Sequence, residues 1–325
     1  MTKHHHIVFA YSFNNEGKAL KLDNAVVAEE LKNDSLSWVH LDANDKYSKK
    51  WLEKEVSYLD HLIIDALLAE ETRPRAMEIN NGLLIILREV NLSEDSQIGD
   101  MTSIRIWIDE TRFITVQRRE SNAAQELKKQ IESGKLIKNS GEFLYNLTYQ
   151  ILHTTSPYLY SLSEKIDDLE EKVVTTHDIK FREQILQIRT GAGMFKRYLL
   201  PQREAISKLK ASDCTWVNGW TKRHLQENYD QVNHLIEEVD EARERSLILH
   251  DELGNALTEK LNRSMYKLSL ITLIFMPLTF LTGLFGINVS GIPGAENHHA
   301  FIIFVMSVAL IALLQIRFFK KNGWF

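Results

Sequence analysis

Counting back from Gly283 in alternating steps of four and three picks out Thr279, Met276, Thr272, Ser269, Met265 and Asn262. At helical spacing these residues share one face, which carries hydroxyls, thioethers and an amide. Between Leu268 and Phe285 the other residues are Leu, Ile and Phe, apart from Pro277 and Thr282. Polar groups are costly against lipid, so a stripe of this kind faces protein or water. One pair of spans cannot enclose a pore, but several copies of this helix around an axis can. The same register continues upstream through Thr258, Asn255, Asp251, Ile248, Glu244, Glu241, Glu237, His234, Asp230 and Glu227. The stripe is acidic in its first half and neutral-polar in its second. A sustained repeat of about 3.5 residues implies left-handed supercoiling of packed helices, and rings of acid would concentrate cations at the pore entrance. Two plainer readings compete: a solvated face in the acidic half, and helix-packing Ser and Thr in the other. The unbroken register across both halves favours an ion path.

The elements that must position this stripe are legible around it. No charged residue occurs between Lys267 and Glu296, and a second uncharged run extends from Asn297 to Ile316. Each is long enough to span a bilayer as a helix, which predicts spans at about 267–286 and 300–319. A buried hairpin in a soluble core is the alternative. Lys260, Arg263 and Lys267 flank the first run, and Arg317, Lys320 and Lys321 close the second. The loop between the runs has no Lys or Arg, so both termini are expected in the cytoplasm. Upstream, Gly219 to Phe285 reads as one helix of about 100 Å that needs partners to bury its surface.

The rest of the chain reads as a cytoplasmic α/β domain over 1–120 and a helical and stalk region over 121–266, ahead of the transmembrane domain at 267–325. HIVFAYSF, SWVHLDA, GLLIILREV and TSIRIWIDETRFITVQRR read as strands, with a hairpin turn at Asp109-Glu110-Thr111. Tyr47 to Ala69 reads as one helix, and Glu142–Thr175 and Ile179–Lys210 as two long ones. A net charge of −5 gives no sign of nucleic-acid binding. The single cysteine, Cys214, excludes disulfides and cysteine-rich metal sites. No nucleophile elbow, P-loop, dinucleotide fingerprint or zinc-hydrolase motif is present, so no catalytic residue and no cofactor is expected.

The first span ends in GLFGINVSGIPG. Gly283 and Gly286 permit close helix approach and helix termination, which places Asn288 just beyond the helix at the outer mouth. A ring of Asn288 amides could accept hydrogen bonds from the waters of a hydrated divalent cation without binding it too tightly. In the outer loop, Glu296, His298 and His299 offer carboxylate and imidazole, ligands that suit Zn²⁺, although a solvated loop has the same composition. His4 to His6 begin a strand, where neighbouring side chains face opposite ways, so they read as no site.

Two C-terminal spans, MPLTFLTGLFGIN closing the first, a short loop and the basic tail RFFKKNGWF resemble the CorA superfamily of divalent-cation transporters. The resemblance implies a funnel-shaped homopentamer in a cell inner membrane. Each chain would supply an α+β cytoplasmic domain, long stalk helices and two C-terminal transmembrane helices. The family's Gly-Met-Asn signature maps to Gly286, Ile287 and Asn288. Isoleucine at the middle position, and a following VSGIPG without an acidic residue, are similar to the ZntB branch linked to Zn²⁺, with possible proton coupling. Glu227 and Asp230 fall where the family implies an intracellular regulatory metal site. The expected cargo is Zn²⁺, with Mg²⁺, Co²⁺, Ni²⁺ and Cd²⁺ as alternatives in a CorA-type channel. The remaining alternative is a membrane-anchored sensor or scaffold that transports nothing.

Overall fold

In the computed structural model the strand-forming runs of the first 120 residues make one seven-stranded sheet. The structure describes residues 6–324 other than 34, 71, 93–95, 97, 98, 177, 288–291, 293, 295 and 296. The strands are β1 (Ile7–Phe13), β2 (Ala19–Lys21), β3 (Leu36–Asp42), β4 (Arg75–Ile79), β5 (Gly82–Val90), β6 (Met101–Ile108) and β7 (Arg112–Gln117). Their order is β2-β1-β3-β7-β6-β5-β4. Among the described strands only β3 and β7 pair in parallel. The β6–β7 hairpin turns at Asp109–Thr111 as its sequence predicts, and the Asp109 carboxylate accepts from the Thr111 and Arg112 amides.

Both faces of the sheet are covered, which is why its strands are apolar almost throughout rather than alternating. One face presents Trp38, Ile85, Ile104, Ile106 and Phe113 to the helices that follow the sheet. The other presents Val39, Leu41, Leu84, Trp107, Ile114 and Val116 to α1 (Val27–Glu30), α2 (Lys46–Glu55) and α3 (His61–Leu68). The single helix expected over 47–69 is therefore two. Val56 leaves helical geometry at φ −114° and ψ 42°, and the Asp60 carboxylate caps α3 by accepting from the Leu62 amide. Leu62, an apolar residue at helical spacing from Leu59, is 77% exposed. Strand β4 was also not anticipated. It forms because Asn80 and Asn81 both adopt positive φ, the backbone that a two-residue hairpin connection requires.

Past the sheet come α4 (Asn122–Glu132), α5 (Ser140–Thr176), α6 (Phe181–Lys210), α7 (Gly219–Phe285) and α8 (Ala300–Lys321). Helix α5 docks on the sheet through Phe143, which stacks on Phe113 at 4.0 Å and meets Trp38 edge-on at 5.1 Å. The chain divides into two units, 1–251 and 252–325. In the first, α5, α6 and the start of α7 form a three-helix bundle. Contacts of α5 with α7 keep a separation of 75 residues at Ser163–Glu238, Ser156–Gln231 and Glu170–Arg245, so the two helices run parallel. Lys196 pairs with Asp240 and Lys210 with Gln226, so α6 runs antiparallel to α7. The second unit holds the remainder of α7 and α8. Both contain windows apolar enough to cross a membrane, with mean hydropathy 2.1 and 2.4, and those windows are 6% and 0% buried. Such exposure of apolar surface fits a lipid environment and not the core of a soluble hairpin.

Candidate ion pathway

Within the first unit, α7 buries Leu225, Asn228, Val232, Leu235, Val239, Ala242, Ser246 and Leu249. This is a three-four repeat directed at α5 and α6. The residues of the stripe, Glu227, Asp230, His234, Glu237, Glu241, Glu244, Ile248 and Asp251, all lie exposed on the outward side. The sequence register is thus the side of the helix that the bundle leaves uncovered. Polar clamps hold the inward side. Arg245 donates to both oxygens of Glu170, at 2.8 and 2.7 Å, and to Asp167 at 2.5 Å. These carboxylates hold the guanidinium pKa above its ordinary value.

In the second unit α7 and α8 form an antiparallel pair. Phe285 meets Phe304 at 5.2 Å, and the Tyr266 hydroxyl donates to the Trp324 carbonyl at 2.8 Å. The Trp324 ring stacks on Phe319 at 5.4 Å, which ties the chain end back onto α8. The side of α7 that is shielded comprises Leu270, Ile274, Pro277, Leu278 and Leu281. At about 100° per residue, this side points roughly 165° away from the mean direction of Ser269, Thr272, Met276, Thr279 and Gly283. The stripe therefore lies opposite α8, and every one of its members from Asn262 to Gly283 is exposed, with Met265 59% and Met276 65% accessible. The Thr272 hydroxyl donates to its own helix at the Leu268 carbonyl, 3.0 Å, which leaves its oxygen able to accept from the exposed side.

Helix α7 ends at Phe285 and Gly286 follows directly. Gly286 does not take the left-handed conformation. What its position demands is space, because a Cβ there would stand 3.0 Å from the Thr282 carbonyl oxygen. Ile287 is 50% exposed. Asn288 and Glu296 lie outside the described residues. His298 and His299 are exposed, with ring centroids 6.0 Å apart, and the His299 amide donates to Asn297. Asp230 accepts from the Gln226 amide at 2.7 Å, and Glu227 adds to the burial that raises the pKa of Tyr145. Among the described residues no three His, Cys, Asp or Glu side chains gather in a geometry that could hold a metal ion. The described polar groups of α7 form a line along one helix instead of a cluster.

Comparison with known proteins bears on this arrangement directly. Residues 33–321 match the family model described as CorA-like Mg²⁺ transporter protein. The chain is 30% identical over 322 residues to the zinc transport protein ZntB of Pectobacterium carotovorum, covering 99% of this chain and 97% of the relative. It is also 30% identical over 321 residues to the divalent cation transporter CmaX of Pseudomonas aeruginosa, covering 98% and 96%. The solved structure of full-length CmaX superposes with a TM-score of 0.83 at 30% identity, covering 98% of each chain. The CorA magnesium transporter of Methanocaldococcus jannaschii gives a TM-score of 0.84 at 23% identity, covering 97% of this chain and 98% of that one, and so shares the fold. A polar helix face left uncovered by its own hairpin and a family match across nearly the whole chain agree: the protein belongs to the CorA-like family of Mg²⁺ transporter proteins.

Proposed function

We propose that this protein carries Zn²⁺ across a cell inner membrane through a pore that five copies of α7 enclose. The observation that carries the proposal is the polar face of α7 lying opposite α8. A face that its own chain leaves uncovered within an apolar span is satisfied by water or by other copies of the same helix. In this reading Asn262, Met265, Ser269, Thr272, Met276, Thr279 and Gly283 line the path. Gly286, Ile287 and Asn288 form the outer filter, and the N- and C-termini are cytoplasmic. Six acidic residues of the same register, Glu227, Asp230, Glu237, Glu241, Glu244 and Asp251, gather cations on the cytoplasmic side. Glu227 and Asp230 are the candidates for a regulatory metal site.

Zinc is favoured over magnesium because Ile287 replaces the usual methionine and because the ZntB relative named above is a zinc transport protein. The CorA-type Mg²⁺ channel is the second reading, supported by the family's own description. The test is uptake of Zn²⁺, Mg²⁺, Co²⁺, Ni²⁺ and Cd²⁺ into proteoliposomes, with and without a pH gradient. Zn²⁺ uptake that rises when the outside is acidified is the expected result. Uptake of Mg²⁺ in preference to Zn²⁺, indifferent to the gradient, would replace the zinc reading. Uptake of none of these ions would leave only a scaffold.

A further inference from the structure

Near its last turns α8 carries a shallow groove of about 610 Å³, lined by Ile311, Leu314, Gln315, Arg317, Phe318 and Lys321. At about 100° per residue these residues cover one side of the helix, about 160° wide, from Arg317 through Lys321, Leu314, Phe318 and Ile311 to Gln315. Along the axis, Arg317 and Lys321 lie about 3 and 9 Å nearer the helix end than Gln315 does. Leu314 and Phe318 are 56% and 60% exposed. Phe319 also lines the groove, and the Trp324 ring stacks on it at 5.4 Å. Arg317 and Lys321 are exposed, and among the described residues neither makes an ion pair.

Basic residues at the end of a span have an ordinary use, since they set its orientation and reach toward water. That use does not extend to Gln315, which lies inside the uncharged run. Its Oε1 is buried and meets no donor, and among the described residues its Nε2 meets no acceptor. A carboxamide with neither end paired is costly in a bilayer, where water does not stand in for a partner. Toward the helix end, apolar Ile311 and Leu314 give way to the Gln315 amide and then to Arg317 and Lys321. Apolar, polar and cationic groups in that order match the layers of a phospholipid: acyl chain, ester and phosphate.

We propose that this groove seats one acidic phospholipid. Its phosphate lies between Arg317 and Lys321, its ester carbonyls accept from the Gln315 amide, and an acyl chain runs along Phe318, Leu314 and Ile311. A guanidinium fork matches phosphate oxygens in pairs, and the ammonium adds a second charge. Basic pockets at the ends of spans recognise anionic headgroups in this way. A lipid with net negative charge is favoured over phosphatidylcholine, whose phosphate is already beside a cation of its own. Only a lipid seated by the two cations comes within reach of Gln315, so the amide adds to the same preference. The groove belongs to α8 and stands apart from the α7 stripe, so the site does not depend on which cation is carried.

Quenching of Trp324 by brominated lipid tests this, because Trp324 is the one tryptophan of residues 252–325 and rests on Phe319 at the groove. The full-length protein is reconstituted in phosphatidylcholine vesicles that contain a small, equal fraction of chain-brominated phosphatidylglycerol or chain-brominated phosphatidylcholine. The Trp324 signal is the part of the fluorescence that Trp324→Phe removes. Phosphatidylglycerol should occupy the site about fivefold or more in preference to phosphatidylcholine. Arg317→Ser combined with Lys321→Ser should bring that preference close to one. Gln315→Leu, which keeps every charge and suits a span, should lower it by about threefold. Lys260→Ser combined with Arg263→Ser removes as many charges upstream of the first span, outside the groove, and should leave the preference unchanged. Equal quenching by the two lipids overturns the proposal. So does a preference that neither Gln315→Leu nor the Arg317 and Lys321 double variant lowers, or one that the Lys260 and Arg263 pair lowers as much, which would mark a general attraction to the charged surface.

Discussion

Glu89 sits in β5 with no solvent exposure, and its Oε2 accepts from the Ala123 amide at 2.8 Å, at the start of α4. Burial raises its pKa from 4.5 to about 7, against the lowering effect of hydrogen bonds from Ser121, Ala123 and Asn122. The folded protein then holds this proton more tightly than the unfolded chain does. Stability from this group is complete below about 4.5 and is lost as pH rises through about 7. The difference between the two protonation states sets a ceiling of about 3 kcal/mol. Relaxation and water entry bring the expected effect to roughly 1–3 kcal/mol. Glu89→Gln keeps an oxygen acceptor for Ala123 and removes the titration. Its apparent melting temperature in detergent should match wild type near pH 5 and exceed it near pH 8. At about 2–4 °C per kcal/mol for a unit of this size, the gap should be several degrees. Melting curves of the two proteins that stay parallel from pH 5 to pH 8 would refute the reasoning.

Cysteine placed at Ser269, Thr272, Met276 or Thr279 in a Cys214→Ser background should react with small hydrophilic thiol reagents in membranes, and cysteine at Leu270, Ile274 or Leu278 should react far less; equal labelling of both sets would remove the pore face. Arg245→Met should lower the apparent melting temperature by about 2–4 °C, because Glu170 and Asp167 are themselves partly exposed and solvent screening holds the clamp to about 1 kcal/mol. Combining it with Glu170→Gln should cost less than the sum of the two, and strict additivity would show that the pair is not coupled. His298→Ala with His299→Ala should raise the Zn²⁺ concentration for half-maximal uptake and leave Co²⁺ uptake unchanged; overlaid Zn²⁺ curves would eliminate a capture role.

The helical half of the molecule was readable because its signals are local. Helix α7 begins at Gly219 and ends at Phe285, as the unbroken periodicity and the glycines at its end indicate. Strands β1, β3, β5, β6 and β7 followed from β-branched and aromatic runs. What escaped were features set by pairing or capping. The reading of 47–69 as one helix had the apolar spacing of α2 and α3 but gave no weight to Asp60 as a cap. The stripe was legible because a helix converts sequence spacing into a face by one rule. Burial within the sheet obeys no such rule. Arg105 and Glu89 are charged residues within strand runs, and only helices on both sides of the sheet make them buried. Arg73 and Arg197 border one cavity because α6 packs beside β4 and β5, which no local pattern records.

The central claim is that a divalent cation passes along α7 and leaves or enters through a ring of Asn288. Uptake into proteoliposomes by wild type and by Asn288→Ala, with oligomer assembly checked by size-exclusion chromatography, tests it most directly. The account predicts an assembled variant that has lost most of its uptake. An assembled Asn288→Ala that transports at the wild-type rate would contradict it.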